Sequence, residues 1–156
     1  MKLSDEIIHF LYRQHYTVIS TIDKDGAIHN SCKGIVNIDK KGRIYLLDLY
    51  KQRTYENLKN DPNIALTVVD EHKFKGYSLK GKAKIIIEDK IKPDILAAWD
   101  KKISGRISHR ILKNISGEKG HARHPEILLP KPEYIIEVRV DKIVDLTPHK
   151  LKHVKA

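Results

Sequence analysis

Between Arg43 and Pro62 an apolar run, Ile44 to Leu49, ends in the basic, hydroxyl-bearing turn Lys51-Gln52-Arg53-Thr54. A helix-like segment starts at Tyr55 and is stopped by Asn60-Asp61-Pro62. A strand that feeds a cationic turn at a helix start is suited to holding a phosphate. Free backbone N–H groups and the positive end of the helix dipole converge there, and Arg53 adds a planar pair of donors. Basic residues also begin many surface helices that bind nothing, so the spacing alone leaves a solvated helix start as an even alternative. Other clusters carry less. Cys32 beside Lys33 could lose its proton early and act as a nucleophile, but a lone Cys in a strand is more often a small core residue. His121-Ala122-Arg123-His124 and the pair His149 and His153 have spacings that could ligate a metal. Neither has a Cys or carboxylate companion at helpful spacing, and no metal site is expected. Glu88-Asp89 beside Lys90 reads as a solvated turn. There is no Gly-rich dinucleotide fingerprint, no Gly-Lys phosphate loop and no serine-triad signature.

The elements that must position these residues follow from patterning. Ser4 can cap a helix whose apolar residues Ile7, Ile8 and Leu11 share a face. Strands are predicted over Tyr16–Ile22, Ile28–Ile38, Arg43–Leu49, Asn63–Asp70, Tyr77–Ile87 and Tyr134–Leu146. Lys24-Asp25-Gly26 and Asp39-Lys40-Lys41-Gly42 are hairpin turns, since Gly accepts positive φ. Pro93 fits the first turn of a helix through Trp99 and Lys101, and Arg106 to Ile115 fits a second short one. Ser104-Gly105, Ser116-Gly117, Gly120, Pro125, Pro130 and Pro132 break up residues 103–132, which are expected to form an irregular insertion. The expectation is one domain over residues 1–156: mainly β with peripheral helices, a six-stranded antiparallel Greek-key barrel.

Composition agrees with a compact chain: 156 residues, 40% hydrophobic. No run of about 18 apolar residues is present, so no membrane span is expected. The acidic MKLSDEIIHF start is unlike a secretion signal, and the single Cys32 favours a reducing, cytoplasmic setting. The net charge is +10, of which +7 falls in residues 101–156. A basic arm of this kind can neutralise nucleic-acid phosphates. Here, however, Glu118, Glu126, Glu133, Glu137, Asp141 and Asp145 interrupt it, no Lys/Arg block forms, and aromatic platforms are lacking beyond Tyr134. Solvated surface charge is the favoured reading over nucleic-acid binding.

The order of segments resembles the FMN-binding split-barrel family related to pyridoxamine 5'-phosphate oxidase. The likeness rests on the strand Thr17-Val18-Ile19-Ser20-Thr21-Ile22, the hairpin Asp25-Gly26-Ala27-Ile28-His29 and the strand Arg43-Ile44-Tyr45-Leu46-Leu47. It continues through the turn Arg53-Thr54-Tyr55-Glu56-Asn57-Leu58, then Asp61-Pro62-Asn63-Ile64-Ala65-Leu66-Thr67 and Gly76-Tyr77-Ser78-Leu79-Lys80-Gly81-Lys82-Ala83. It covers roughly residues 5 to 90, with a looser match over the last strand.

The resemblance implies FMN, or alternatively a deazaflavin. It places Arg53 and Thr54 on the cofactor phosphate, with Lys51, Gln52 and Asn57 close enough to assist. It places Ser31, Cys32, Lys33 and Gly34, and Leu47, Asp48 and Leu49, along the flavin ring. Gly34 could equally mark an ordinary bulge, and Asp48 could face solvent on an alternating strand. The resemblance also implies a homodimer with the flavin at the subunit interface. Oxidoreductase chemistry on a small-molecule substrate or electron donor follows, with a substrate-free FMN electron carrier and a basic nucleic-acid-binding module as alternatives. The Arg-Leu-rich ending of true pyridoxamine 5'-phosphate oxidases is missing, which argues against vitamin B6 oxidation. Within residues 104–132, Arg106, His109, Arg110, His121, Arg123 and His124 could serve a closing segment, with His121 or His124 as proton carriers.

Overall fold

Alternating apolar and polar residues punctuated by turn glycines become six strands in a computed structural model that describes residues 1–14, 16–117 and 132–151. The strands are β1 (Thr17–Ile22), β2 (Ile28–Ile38), β3 (Arg43–Asp48), β4 (Asn63–Asp70), β5 (Lys75–Ile87) and β6 (Tyr134–Asp145). Three helices accompany them: α1 (Asp5–Arg13), α2 (Arg53–Asn60) and α3 (Pro93–Ile115). All neighbouring strands are antiparallel. The order β1-β2-β3-β6-β5-β4 closes into a barrel through pairing of β4 with β1. The fold is therefore the six-stranded antiparallel split barrel that the sequence led us to expect.

Local chemistry sets the turns and caps. Gly26 and Gly42 take φ of +83° and +84° at the two hairpin tips, a region that L side chains enter only with strain. A Cβ on Gly42 would also fall 2.0 Å from the Met1 carbonyl oxygen. Ser4 caps α1, its Oγ accepting from the Ile7 N–H at 3.3 Å. β2 carries a bulge between Ile35 and Asn37. The Tyr12 hydroxyl of α1 secures it, accepting from the Ile38 N–H and donating to Asn37 Oδ1, both at 2.9 Å.

Two apolar layers result. Inside the barrel, Ile19, Ile35, Ile44, Leu46, Leu66, Leu79, Ile136 and Val138 pack together, and Phe10 and Leu11 of α1 join them. Burial of side chains of this size stabilises by about 1.5–3 kcal/mol each. Outside it, Val36, Tyr45 and Ile135 pack against Ile91, Ile95 and Trp99. β3 is thus covered on both faces, which explains why Ile44 to Leu47 reads as a continuous apolar run.

The irregular insertion expected over 103–132 is corrected at its start, where residues 103–115 are helical, and residues 118–131 lie outside the described residues. α3 is one unbroken helix from Pro93 to Ile115, not two pieces. Gly105 is exposed, and a Cβ there would meet nothing within 4 Å. A glycine in a helix costs about 1 kcal/mol relative to Ala, and burial of Ile95 and Trp99 at the same helix's start outweighs that. Among the described residues, no helix is long and apolar enough to cross a membrane.

Candidate functional site

Because α3 lies over β2 and β3, a cavity of about 300 Å³ is left between them. Its strand side is formed by Cys32, Lys33, Gly34, Leu47, Asp48 and Leu49, and its helix side by Trp99, Lys102, Ile103 and Arg106. The two strand stretches meet because Gly34 stands opposite Leu47 in the β2–β3 register. Gly34 keeps this part of the floor open: an added Cβ would meet only Lys102 Nζ, at 4.0 Å. The strip expected from the sequence is therefore brought together in one place. Cys32 is exposed at the cavity rather than buried in the core. The core reading fails because β2 alternates exposed and half-buried positions from Ile28 to Lys33, with Cys32 on the exposed side, and full burial begins only at Ile35.

Asp48 is not solvent-facing. It is 4% exposed and sits at the end of an otherwise apolar strand. Its carboxylate is fully engaged: Lys33 Nζ donates to Oδ1 at 2.7 Å, and the Tyr134 hydroxyl donates to Oδ2. Tyr134 is wholly buried. Burial, followed by the hydrogen bond to Asp48, pushes its hydroxyl pKa far above the ordinary phenol range. Buried ions persist when paired and hydrogen-bonded, and this cluster satisfies that condition with groups from β2, β3 and β6.

The helix side is cationic. Lys102 Nζ donates to the Ile35 carbonyl, and burial, then the nearby Arg106 charge, lowers its pKa to about 8. Arg106 lies 5.0 Å from the centroid of the Tyr16 ring. The indole Nε1–H of Trp99 is buried and has no hydrogen-bond partner among the described residues. Sequence reasoning assigned Trp99 and Lys102 no role and placed Arg106 in an irregular segment. Their helical spacing, 99, 102, 103 and 106, was the signal that could have found them.

The phosphate corner stands at the start of α2. Gln52 occupies the N-cap without a side-chain bond to the helix. Thr54 is buried, and its Oγ1 lies 3.0 Å from Ser31 Oγ on β2, adjacent to Cys32. That contact ties the helix start to the cavity floor. Arg53 is largely exposed and reaches Asp23 at 3.7 Å. It shares a second hollow with Asp23, Lys24, Asp25, Glu56 and Asn57, so the corner mixes both signs of charge. Asn57, expected to assist a phosphate, is turned inward: it is 4% exposed and donates to Thr21 Oγ1 at 3.0 Å and Asp23 Oδ1 at 2.6 Å. Lys51 pairs with Glu133 at 2.9 Å, and that hydrogen bond raises its pKa. His121 and His124 lie outside the described residues. No cluster of groups able to hold a metal occurs among the described residues.

The profile of the pyridoxamine 5'-phosphate oxidase family matches residues 3–139. The chain belongs to this family. Solved structures share its barrel. HupZ of Group A Streptococcus is 16% identical, with a TM-score of 0.66 over 93% of this chain and 94% of that one. An F420 reductase is 17% identical, with a TM-score of 0.58 over 91% and 98%. HutZ, the heme storage protein of Vibrio cholerae, is 18% identical, with a TM-score of 0.54 over 92% and 94%. No curated protein sequence matches the chain. At these identities the structural likeness speaks for the family's fold alone. Within the family, chemistry is decided by the groups placed around the barrel.

Proposed function

We propose that this family member is an FMN-binding flavoprotein, an oxidoreductase acting on a small substrate. The reading is carried by one observation: the Ser31–Thr54 contact joins an uncapped, Arg-bearing helix start to a cavity with an open glycine floor. Arg53 and the first N–H groups of α2 would hold the phosphate, with Thr54 beside them. The cavity residues Gly34, Leu47 and Leu49 would flank the ring. The fit is supported by the absence of a side-chain cap at Gln52, which leaves the first N–H groups of α2 without a side-chain acceptor there. When bound, FMN supplies hydride and electron transfer. The chain's own groups set the conditions around it. Asp48 fixes Lys33 with its ammonium toward the cavity, Lys102 and Arg106 favour an anionic substrate, and Trp99 with Ile103 excludes water.

The homodimer is part of this proposal. Tyr16 and Tyr50 border the cavity yet are 61% and 54% exposed, which suits a site completed by a second copy with the flavin between subunits. The test is titration of the purified chain with FMN and with riboflavin, followed by absorbance, with mass spectrometry of anything released on denaturation. FMN bound far more tightly than riboflavin supports the reading, and a released deazaflavin would move it to the alternative cofactor. Failure to bind any flavin would overturn it, and sedimentation of the loaded protein as a monomer would remove the shared site.

A further inference from the structure

Past Ile86 and Ile135, which pack under α3, the outer surface of β5 and β6 becomes a ladder of cations. Lys80, Lys82 and Lys84 alternate with Gly81 and Ala83, so the pleat sends all three lysines to the same exposed face. Register adds the neighbouring strands: Lys80 stands opposite Lys142, Lys82 opposite Arg139, and Arg139 opposite Arg43. Carboxylates are fewer. Asp39 holds Arg43 at 2.6 Å, Asp141 lies 3.5 Å from Arg139, and Glu137 stands between Lys84 and Tyr45. Lys80, Lys82, Lys84 and Lys142 form no ion pair among the described residues, and Lys82 Nζ donates to Asn63 Oδ1 at 2.6 Å. Like charges set directly opposite on adjacent strands destabilise a sheet, and a face needed only for solubility would interleave the two signs. The row escapes a search for Lys/Arg blocks because every second residue is small and turned away from it.

We propose that this face binds the phosphate backbone of duplex nucleic acid, without reading its sequence. Alternate residues of a strand are about 6.6 Å apart, a pitch of the same order as that of successive phosphates, so the three β5 lysines can each meet one. Arg139 and Lys142 form a second row across β6. Beside the ladder, Lys80, Lys82 and Asp141 share a hollow of about 480 Å³ with Ser20 and Asn63, short polar side chains of the kind that position a backbone. Tyr45, the aromatic residue in this register, is 4% exposed. The face therefore offers no platform on which an unpaired base could stack, which selects the duplex over a single strand. The ladder lies outside the cavity beneath α3, so the inference is independent of the flavin reading.

The experiment titrates a labelled DNA duplex of random sequence with the whole protein, follows fluorescence anisotropy, and repeats this between about 50 and 200 mM salt. Affinity should fall with a log–log slope of about −3 to −4, as neutralisation of about four phosphates requires. Lys82→Gln and Lys84→Gln should each take about one unit off that slope, and Lys80→Gln, Lys82→Gln and Lys84→Gln combined should abolish binding at about 100 mM salt. The double variant Lys82→Arg with Lys84→Arg, which keeps the charge, should bind as the native chain does. So should the charge-matched control Lys73→Gln, Lys90→Gln and Lys101→Gln, altered at exposed lysines elsewhere. Absence of duplex binding at low salt would overturn the proposal, as would equal losses in the two triple variants. Tighter binding of the single strand than of the duplex would overturn it too. Displacement of the duplex by poly-glutamate at equal charge would do the same, marking the face as a site for acidic protein.

Discussion

Asp48 and Arg53 stand a few residues apart, at the end of β3 and the start of α2, yet the fold treats them in opposite ways. The Asp48 side chain is 4% exposed and held by two partners, whereas that of Arg53 is 67% exposed with a single ion pair at 3.7 Å. The first belongs to the structure, because removing it strands a half-buried ammonium and a buried hydroxyl. The second can exchange its partner for a ligand without disturbing the core, because surface ion pairs contribute about 0–1 kcal/mol. A site built this way keeps its fixed electrostatics inside and its adaptable contact at the rim.

The sharpest way to break the contrast is Asp48→Ala. It leaves Lys33 and Tyr134 without their acceptor, and we expect a loss of about 3–5 kcal/mol of folding stability, measured as a lower urea midpoint. A loss under about 1 kcal/mol would mean the cluster is no more structural than the rim.

At Arg53 the effect should move from folding to binding. Arg53→Ala should change stability by less than about 0.5 kcal/mol while weakening FMN about ten- to a hundredfold, the worth of a charge-assisted contact. Riboflavin binding should scarcely respond. Equal losses for the two ligands would detach Arg53 from the phosphate.

A gradual effect, spread over pH rather than seen at one condition, is a slope from Lys102. Its pKa in the folded chain, about 8, lies below the ordinary 10.5. Between those values the unfolded chain binds more protons, so stability should rise with pH; below pH 8 the cost of burying the charge is constant. Tyr45, pushed up to about 12 by burial and then by the Glu137 charge, acts in the opposite sense above pH 10, where the unfolded phenol ionises first. The clean window is therefore pH 8–10. Denaturation of the native chain and of Lys102→Met across it should show the rise in the former and its absence in the latter.

What was legible in the sequence was local or periodic. Strand alternation, the turn glycines at 26 and 42, and the Ser4 cap fixed the barrel elements, and the ordered motifs pointed to the family. The strips Ser31 to Gly34 and Leu47 to Leu49 came from the family resemblance, and the β2–β3 register sets Gly34 opposite Leu47. What escaped depended on packing across long sequence distances. The pairing of Asp48 with Lys33 and Tyr134 requires β2, β3 and β6 together, and no spacing announces it. The α3 wall was hidden because Ser104-Gly105 looks like a break, whereas burial at the start of the helix carries it through. The inward turn of Asn57 likewise depends on Thr21 and Asp23, which β1 brings beneath α2.

The closing seam of the barrel has a dynamic consequence. β1 meets β4 in register only over Val18 to Ser20, opposite Ala65 to Thr67, while β5 and β6 are paired from Tyr77 to Ile87. The short seam is where the closed cylinder can part with the fewest hydrogen bonds lost, so it sets the lowest-energy opening motion. β2 and β3, which carry the cavity floor, lie on the other side of β1. Breathing at the seam can therefore admit solvent to the barrel interior while the Gly34–Leu47 floor keeps its shape, separating the motion of the shell from the geometry of the site.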